Sequence, residues 1–147
     1  MNRTLRIYVA ILISFLFLGI AGNAMGDDYA GAKVTVIKKS TTTANGQKME
    51  YLKTDHPEVT ALLVEIPPGG ETGWHLHPVP VYAYVLSGTI TVEMERGESR
   101  DYKEGEAIFE AVNAVHNGKN LGKVPVKLIV FYTGEEGRPV TIRVKRK

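Results

Sequence analysis

The chain contains no cysteine. That excludes disulfide staples, an acylated lipoprotein anchor and thiolate metal ligands. Stability must come from a hydrophobic core, and any bound metal must be held by nitrogen and oxygen. Tryptophan occurs once and histidine only four times, so the placing of each histidine is informative. Beyond the first two dozen residues no stretch combines helical periodicity with caps, no low-complexity tract appears, and no internal domain boundary stands out.

The only long apolar run is N-terminal. Arg3 and Arg6 precede an almost purely apolar stretch over residues 7–20, and Ala21, Gly22, Ala24 and Gly26 supply small residues after it. This is the layout of a cleavable secretory signal over residues 1–24, with the cut after Ala24 or after Gly26. A membrane span needs about 20 apolar residues, so the run is short for an uncleaved anchor. The expectation is an exported protein, periplasmic or secreted, with no stable membrane insertion once the signal is removed. An excess charge of one sign is also missing. The whole chain carries 18 Lys and Arg against 16 Asp and Glu, and removal of Arg3 and Arg6 makes the balance even. The basic pI therefore gives no reason to expect a nucleic-acid partner. The basic tail after Arg143 alternates with valine and reads as a solvated terminus.

What remains is β-rich and large enough to bury a core. Short strands are expected over 33–37, 58–66, 82–86, 89–94, 107–109, 124–133 and 139–144. They are separated by breakers such as Pro67-Pro68-Gly69-Gly70, Ser87-Gly88 and the Glu95-Arg96-Gly97 turn. Many short strands punctuated by Gly and Pro predict a single all-β domain over 33–144, an antiparallel sandwich or barrel.

The chemistry concentrates at His75-Leu76-His77 and at His116. Alternate residues of a strand face the same way, about 6.6 Å apart. His75 and His77 can therefore aim two imidazoles at one point, and His116 can complete a metal-binding face from a distant strand. Pro78 biases His77 towards extended backbone. The other reading of these histidines is a hydrogen-bonded, metal-free interior. His56, in an Asp-His-Pro turn, reads as a surface residue. Glu71 is either a distal carboxylate ligand or, more commonly for such a loop, solvated. Tyr82 and Tyr84 flank the face, and one of them is expected to point inward. Tyr82 is the candidate for donating a hydrogen bond or proton to a bound substrate, against the commoner role of packing. Asn120 is expected to secure a turn near His116.

Gly69, His75, His77 and Gly88 fall in register with the first motif of the cupin superfamily, G-x5-H-x-H-x3-E-x6-G. Gly105, His116 and Asn120 match the second, G-x5-P-x-G-x2-H-x3-N. The chain thus resembles a single-domain cupin, which implies an antiparallel jelly-roll barrel, also called a double-stranded β-helix. The resemblance further implies a divalent metal (Fe, Mn, Ni or Zn) on His75, His77 and His116, a small-molecule ligand or substrate, and a homodimer. Three departures stand out. Val81 occupies the place of the family's metal-binding glutamate, Ala111 that of the proline and Asn113 that of the glycine. Asn tolerates left-handed backbone better than most residues.

Loss of the glutamate predicts a face of three neutral imidazoles that leaves the ion its full double positive charge. Such a site has open positions and favours an anionic or chelating substrate. It resembles both the three-histidine non-haem iron dioxygenases of the superfamily and a catalytic zinc site of three histidines and water. The expectations are therefore a metal-dependent enzyme with oxygenase-like or hydrolytic chemistry, or a non-catalytic metal- or ligand-binding sensor or carrier.

Overall fold

The computed structural model describes residues 31–145, and the expected leader, with its two cutting positions, lies outside them. Contacts divide the chain into a leading unit, 1–34, and a unit of 35–147 that carries every described strand. The strands are β1 (Pro57–Ile66), β2 (His75–Leu76), β3 (Val81–Ser87), β4 (Thr89–Met94), β5 (Ser99–Lys103), β6 (Ala107–Glu110), β7 (His116–Lys119), β8 (Val126–Glu135) and β9 (Ile142–Arg143). No helix occurs among the described residues, and so none long and apolar enough to cross a membrane.

Two antiparallel sheets form, ordered β1-β8-β3-β6 and β5-β4-β7-β2-β9. The expected all-β jelly roll is therefore present. Period-two patterning explains the pairing of its faces. On β8, Val126, Leu128, Val130 and Tyr132 point inward and are buried, while Lys127 and Phe131 between them are exposed. Val81, Ala83 and Val85 of β3 pack with them, and Ile90, Tyr102 and Ile108 contribute from β4, β5 and β6. Alternation of this kind lets each strand put one face into a shared core.

Turn chemistry holds the ends. Gly88, between β3 and β4, has φ +81°, and a Cβ there would lie 2.9 Å from the Pro125 carbonyl oxygen. Asn113 has φ +57° and stands in the turn before β7 where glycine was expected. Its left-handed backbone is what the replacement must supply, and its amide N–H donates to the His77 carbonyl at 2.7 Å.

Three expectations are corrected. No strand forms over 33–37, because that stretch has no partner and Val36 and Ile37 remain exposed. The closing strand over 139–144 shrinks to β9, because its partner β2 is itself only two residues long. Strand β5 was missed: Ser99, Arg100, Asp101 and Lys103 are polar and exposed, and only Tyr102 carries the burial signal.

Candidate metal centre

The second sheet brings the histidines together. His75 lies directly opposite His116 on the β2–β7 ladder. His77 follows β2 and forms a parallel bridge with Val112. All three are buried, and their ring centroids are 4.4–5.1 Å apart. One ligand nitrogen from each lies within 4.8 Å of the others.

The other ring nitrogen of each histidine is fixed by the backbone. His75 Nδ1 is 2.7 Å from the Gly73 carbonyl oxygen, His77 Nδ1 is 2.9 Å from that of Val140, and His116 Nδ1 is 2.9 Å from that of Ala114. A carbonyl oxygen can only accept, so Nδ1 carries the proton in all three. In neutral imidazoles this leaves three Nε2 lone pairs for the shared space. A metal site needs this tautomer and this outer support.

Sequence reasoning missed a fourth group. Glu110, at the end of β6, places Oε2 3.1 Å from His77 Nε2 and 3.3 Å from His116 Nε2. Its side chain keeps 16% exposure, but Oε2 itself is sealed from solvent and makes no hydrogen bond of good geometry. A face of imidazoles alone was expected; the structure puts a carboxylate beside it. The available signal was an acidic residue in an otherwise apolar stretch just before Ala111, but only strand register shows where it points.

The charges respond to one another. Burial drives the His75 pKa from 6.5 down to about 4, helped by His116 and His77 and opposed by the Gly73 carbonyl. Burial also pulls His116 down, but the adjacent Glu110 carboxylate outweighs it and the net shift is upward. Burial alone would raise Glu110, yet the His116 and His77 imidazoles hold it well below the usual carboxylate range. Three imidazole nitrogens, with an orphaned carboxylate oxygen beside those of His77 and His116, are a donor set that fits a divalent cation.

The interior space beside these groups is about 60 Å³, walled by Val64, Ala83, Ile90, Ile108, Leu128 and Tyr132. Gly118 belongs to this wall, where a Cβ would sit 2.9 Å from Ile90 Cδ1. Tyr132, not Tyr82, stands beside the histidines, its ring centroid 5.3 Å from that of His77. Tyr82 points to the other face of β3, packs edge-on against Phe109 and lines an outer cavity of about 340 Å³. Glu110 borders that outer cavity as well as the interior one. Glu71 is not brought to the histidines; its Oε2 accepts from Asn117 Nδ2 at 2.8 Å. His56 is exposed. Asn120 is buried, and its Nδ2 donates to the Ile66 and Val124 carbonyls while Oδ1 accepts from Gly122 N, which fastens the turn after β7.

The profile of the cupin domain family matches residues 62–132, the stretch that holds both histidine motifs. This chain belongs to the cupin superfamily. Solved structures agree on the cupin fold. A DMSP lyase from Ruegeria pomeroyi is 21% identical, with a TM-score of 0.51, over 58% of this chain and 42% of that one. An oxalate decarboxylase from Lactobacillus farciminis is 22% identical, with a TM-score of 0.52, over 58% of this chain and 26% of its own. The polyketide cyclase RemF from Streptomyces resistomycificus is 24% identical, with a TM-score of 0.53, over 60% and 62%. This cupin spans less than two thirds of the length of each. No curated protein matches the sequence.

Proposed function

We propose that this cupin is an exported metalloprotein that holds a divalent ion (Fe, Mn, Ni or Zn) on His75, His77 and His116. In this reading it acts on a small, anionic or chelating substrate. The observation that carries the reading is the common tautomer. Three backbone carbonyls lock Nδ1–H, and so turn three Nε2 lone pairs into one buried space. When bound, the ion supplies a Lewis acid with positions open to substrate, water or dioxygen.

The protein's own groups set the conditions. The apolar walls exclude bulk water and strengthen any charge interaction inside. The small cavity limits what can approach the ligands to a few heavy atoms, since a single water occupies about 30 Å³ of liquid. Arg3, Arg6, the apolar stretch over 7–20 and the small residues after it support export. The neighbours in fold are a lyase, a decarboxylase and a cyclase, so the fold does not select a reaction. Oxygenase chemistry is the version with the most concrete chemical rationale. The alternative is a non-catalytic carrier or sensor, favoured by the tightness of the cavity.

The test begins with metal analysis by mass spectrometry on protein purified without a polyhistidine tag. Near-stoichiometric metal that disappears in His75→Ala and His116→Ala is expected; metal-free wild type after exposure to each of the four ions sinks the proposal. Oxygen uptake with thiols, diketones and catechols then separates catalyst from carrier.

A further inference from the structure

Val81 stands where the superfamily motif has a metal-binding glutamate, and its directly opposed partner on the β3–β6 ladder is Glu110. Opposed residues of an antiparallel pair share a face, with their Cβ atoms about 4.5–5.5 Å apart. Val81 is 1% exposed and points into the barrel, so Glu110 points there too. We propose that Glu110 is the fourth protein ligand of the metal, with the carboxylate moved one strand across from its usual position. This rests on the three-histidine metal site proposed above.

Three observations carry it. First, the distances are those of neighbouring ligands. Two donors each about 2.1 Å from one ion, at angles between octahedral and tetrahedral, lie about 3.0–3.4 Å apart. Glu110 Oε2 is 3.1 and 3.3 Å from the Nε2 atoms of His77 and His116. Charge-assisted N–H···O bonds are shorter, about 2.7–2.9 Å. Second, Oε2 is sealed and has no hydrogen bond of good geometry. A ligand oxygen requires such vacancy, whereas a merely structural carboxylate is disfavoured by it. Third, in the neutral form that metal binding requires, both sides of the contact are acceptors. With Nδ1–H pinned to carbonyls, neutral His77 and His116 offer Oε2 only lone pairs. A cation between them converts that repulsion into coordination.

The consequence for the site is its charge. Three imidazoles alone would leave a divalent ion at +2, and Glu110 brings the centre to +1. The site is therefore equivalent in charge to one bearing the motif glutamate, although Val81 cannot ligate. Its carboxylate enters from β6, on the side of the outer cavity that Glu110 borders.

The experiment uses full-length metal-stripped protein titrated with Co(II), reading competition affinity and the visible d–d spectrum. The variants are Glu110→Gln and the exchange Val81→Glu with Glu110→Val. Glu110→Gln is expected to weaken Co(II) by about 100-fold or more, at or beyond the range for loss of an outer support. It should also shift the d–d bands. The exchange variant is expected to recover most of the affinity. Thermal unfolding of the metal-free forms checks that the barrel persists in each. Wild-type and Glu110→Gln protein with the same affinity and the same spectrum would overturn the assignment while leaving the histidine site intact. Wild type that binds no Co(II) would overturn both.

Discussion

His75 and His116 are direct partners on the β2–β7 ladder, 41 positions apart in sequence and 4.4 Å apart between ring centroids. Their pairing sets both imidazoles on the same face of the sheet. Each is therefore expected to be indispensable to binding. Ligand at 100 times its Kd adds about 2.7 kcal/mol to wild-type stability. Under the same metal concentrations His75→Ala and His116→Ala should gain almost nothing. Calorimetric melting with and without Zn(II) reads the difference.

Acid should destabilise the metal-free protein over a defined window. The unfolded chain protonates His75 as pH falls through 6.5, while the folded chain resists until about 4. Stability is therefore lost between these values, by on the order of 2 kcal/mol after solvent screening. His116 works oppositely. Its folded pKa is raised, so its pairing with Glu110 contributes fully below 6.5 and fades as pH rises through the folded value. Urea denaturation at stepped pH should show the decline from 6.5 to 4, and His75→Ala should flatten it. An undiminished slope in that variant would refute the burial account.

Asn120→Ala is expected to be costly although the residue touches no ligand. It removes two donated bonds and one accepted bond from a buried turn. Unsatisfied buried partners cost about 1–3 kcal/mol each, so a loss of about 3 kcal/mol is expected in equilibrium unfolding.

Two glycines should behave differently. Alanine at Gly88 meets a backbone oxygen at a positive φ, and about 2 kcal/mol of destabilisation is expected. Alanine at Gly118 comes too close only to the end of the Ile90 side chain, which can turn away, and touches Thr72 at ordinary contact distance. Gly118→Ala should cost less stability and should narrow the interior cavity. Paired denaturation curves, with binding of a small anion such as formate to the Zn(II) form, separate the two effects.

Tyr82→Phe should leave Zn(II) affinity within about twofold, since its side chain faces away from the histidines. Tyr132→Ala opens the wall beside His77 and should cost about 3 kcal/mol or more in stability. A large loss of Zn(II) affinity in Tyr82→Phe would contradict the orientation of β3.

The histidine motif, its glycines and the left-handed Asn113 were legible because each is a local requirement written in one or two residue types. Glu110 was not. Its role depends on which residue of β6 lies opposite Val81, and register is a property of two strands that neither sequence states alone. Tyr82 and Tyr84 stand two apart and so share one face of β3, opposite the buried Val81, Ala83 and Val85; the inward tyrosine is Tyr132 on β8, which the motifs do not mark. Strand β5 was hidden because an edge strand with one buried tyrosine is mostly polar.

The bond from His77 Nδ1 to the Val140 carbonyl closes a loop of 63 positions. Contacts this distant in sequence form late, because loop-closure entropy must be met before they stabilise anything. The bond that locks the His77 tautomer with a free Nε2 is thus not yet made in a partly folded chain. Metal would be captured by the finished barrel and not by the emerging polypeptide. The metal pool that loads the protein is then the one in the compartment where folding ends. Co(II) present throughout refolding should show its d–d bands only after the fluorescence of Trp74 has reached its native value; earlier bands would mean that the ion helps to nucleate the fold.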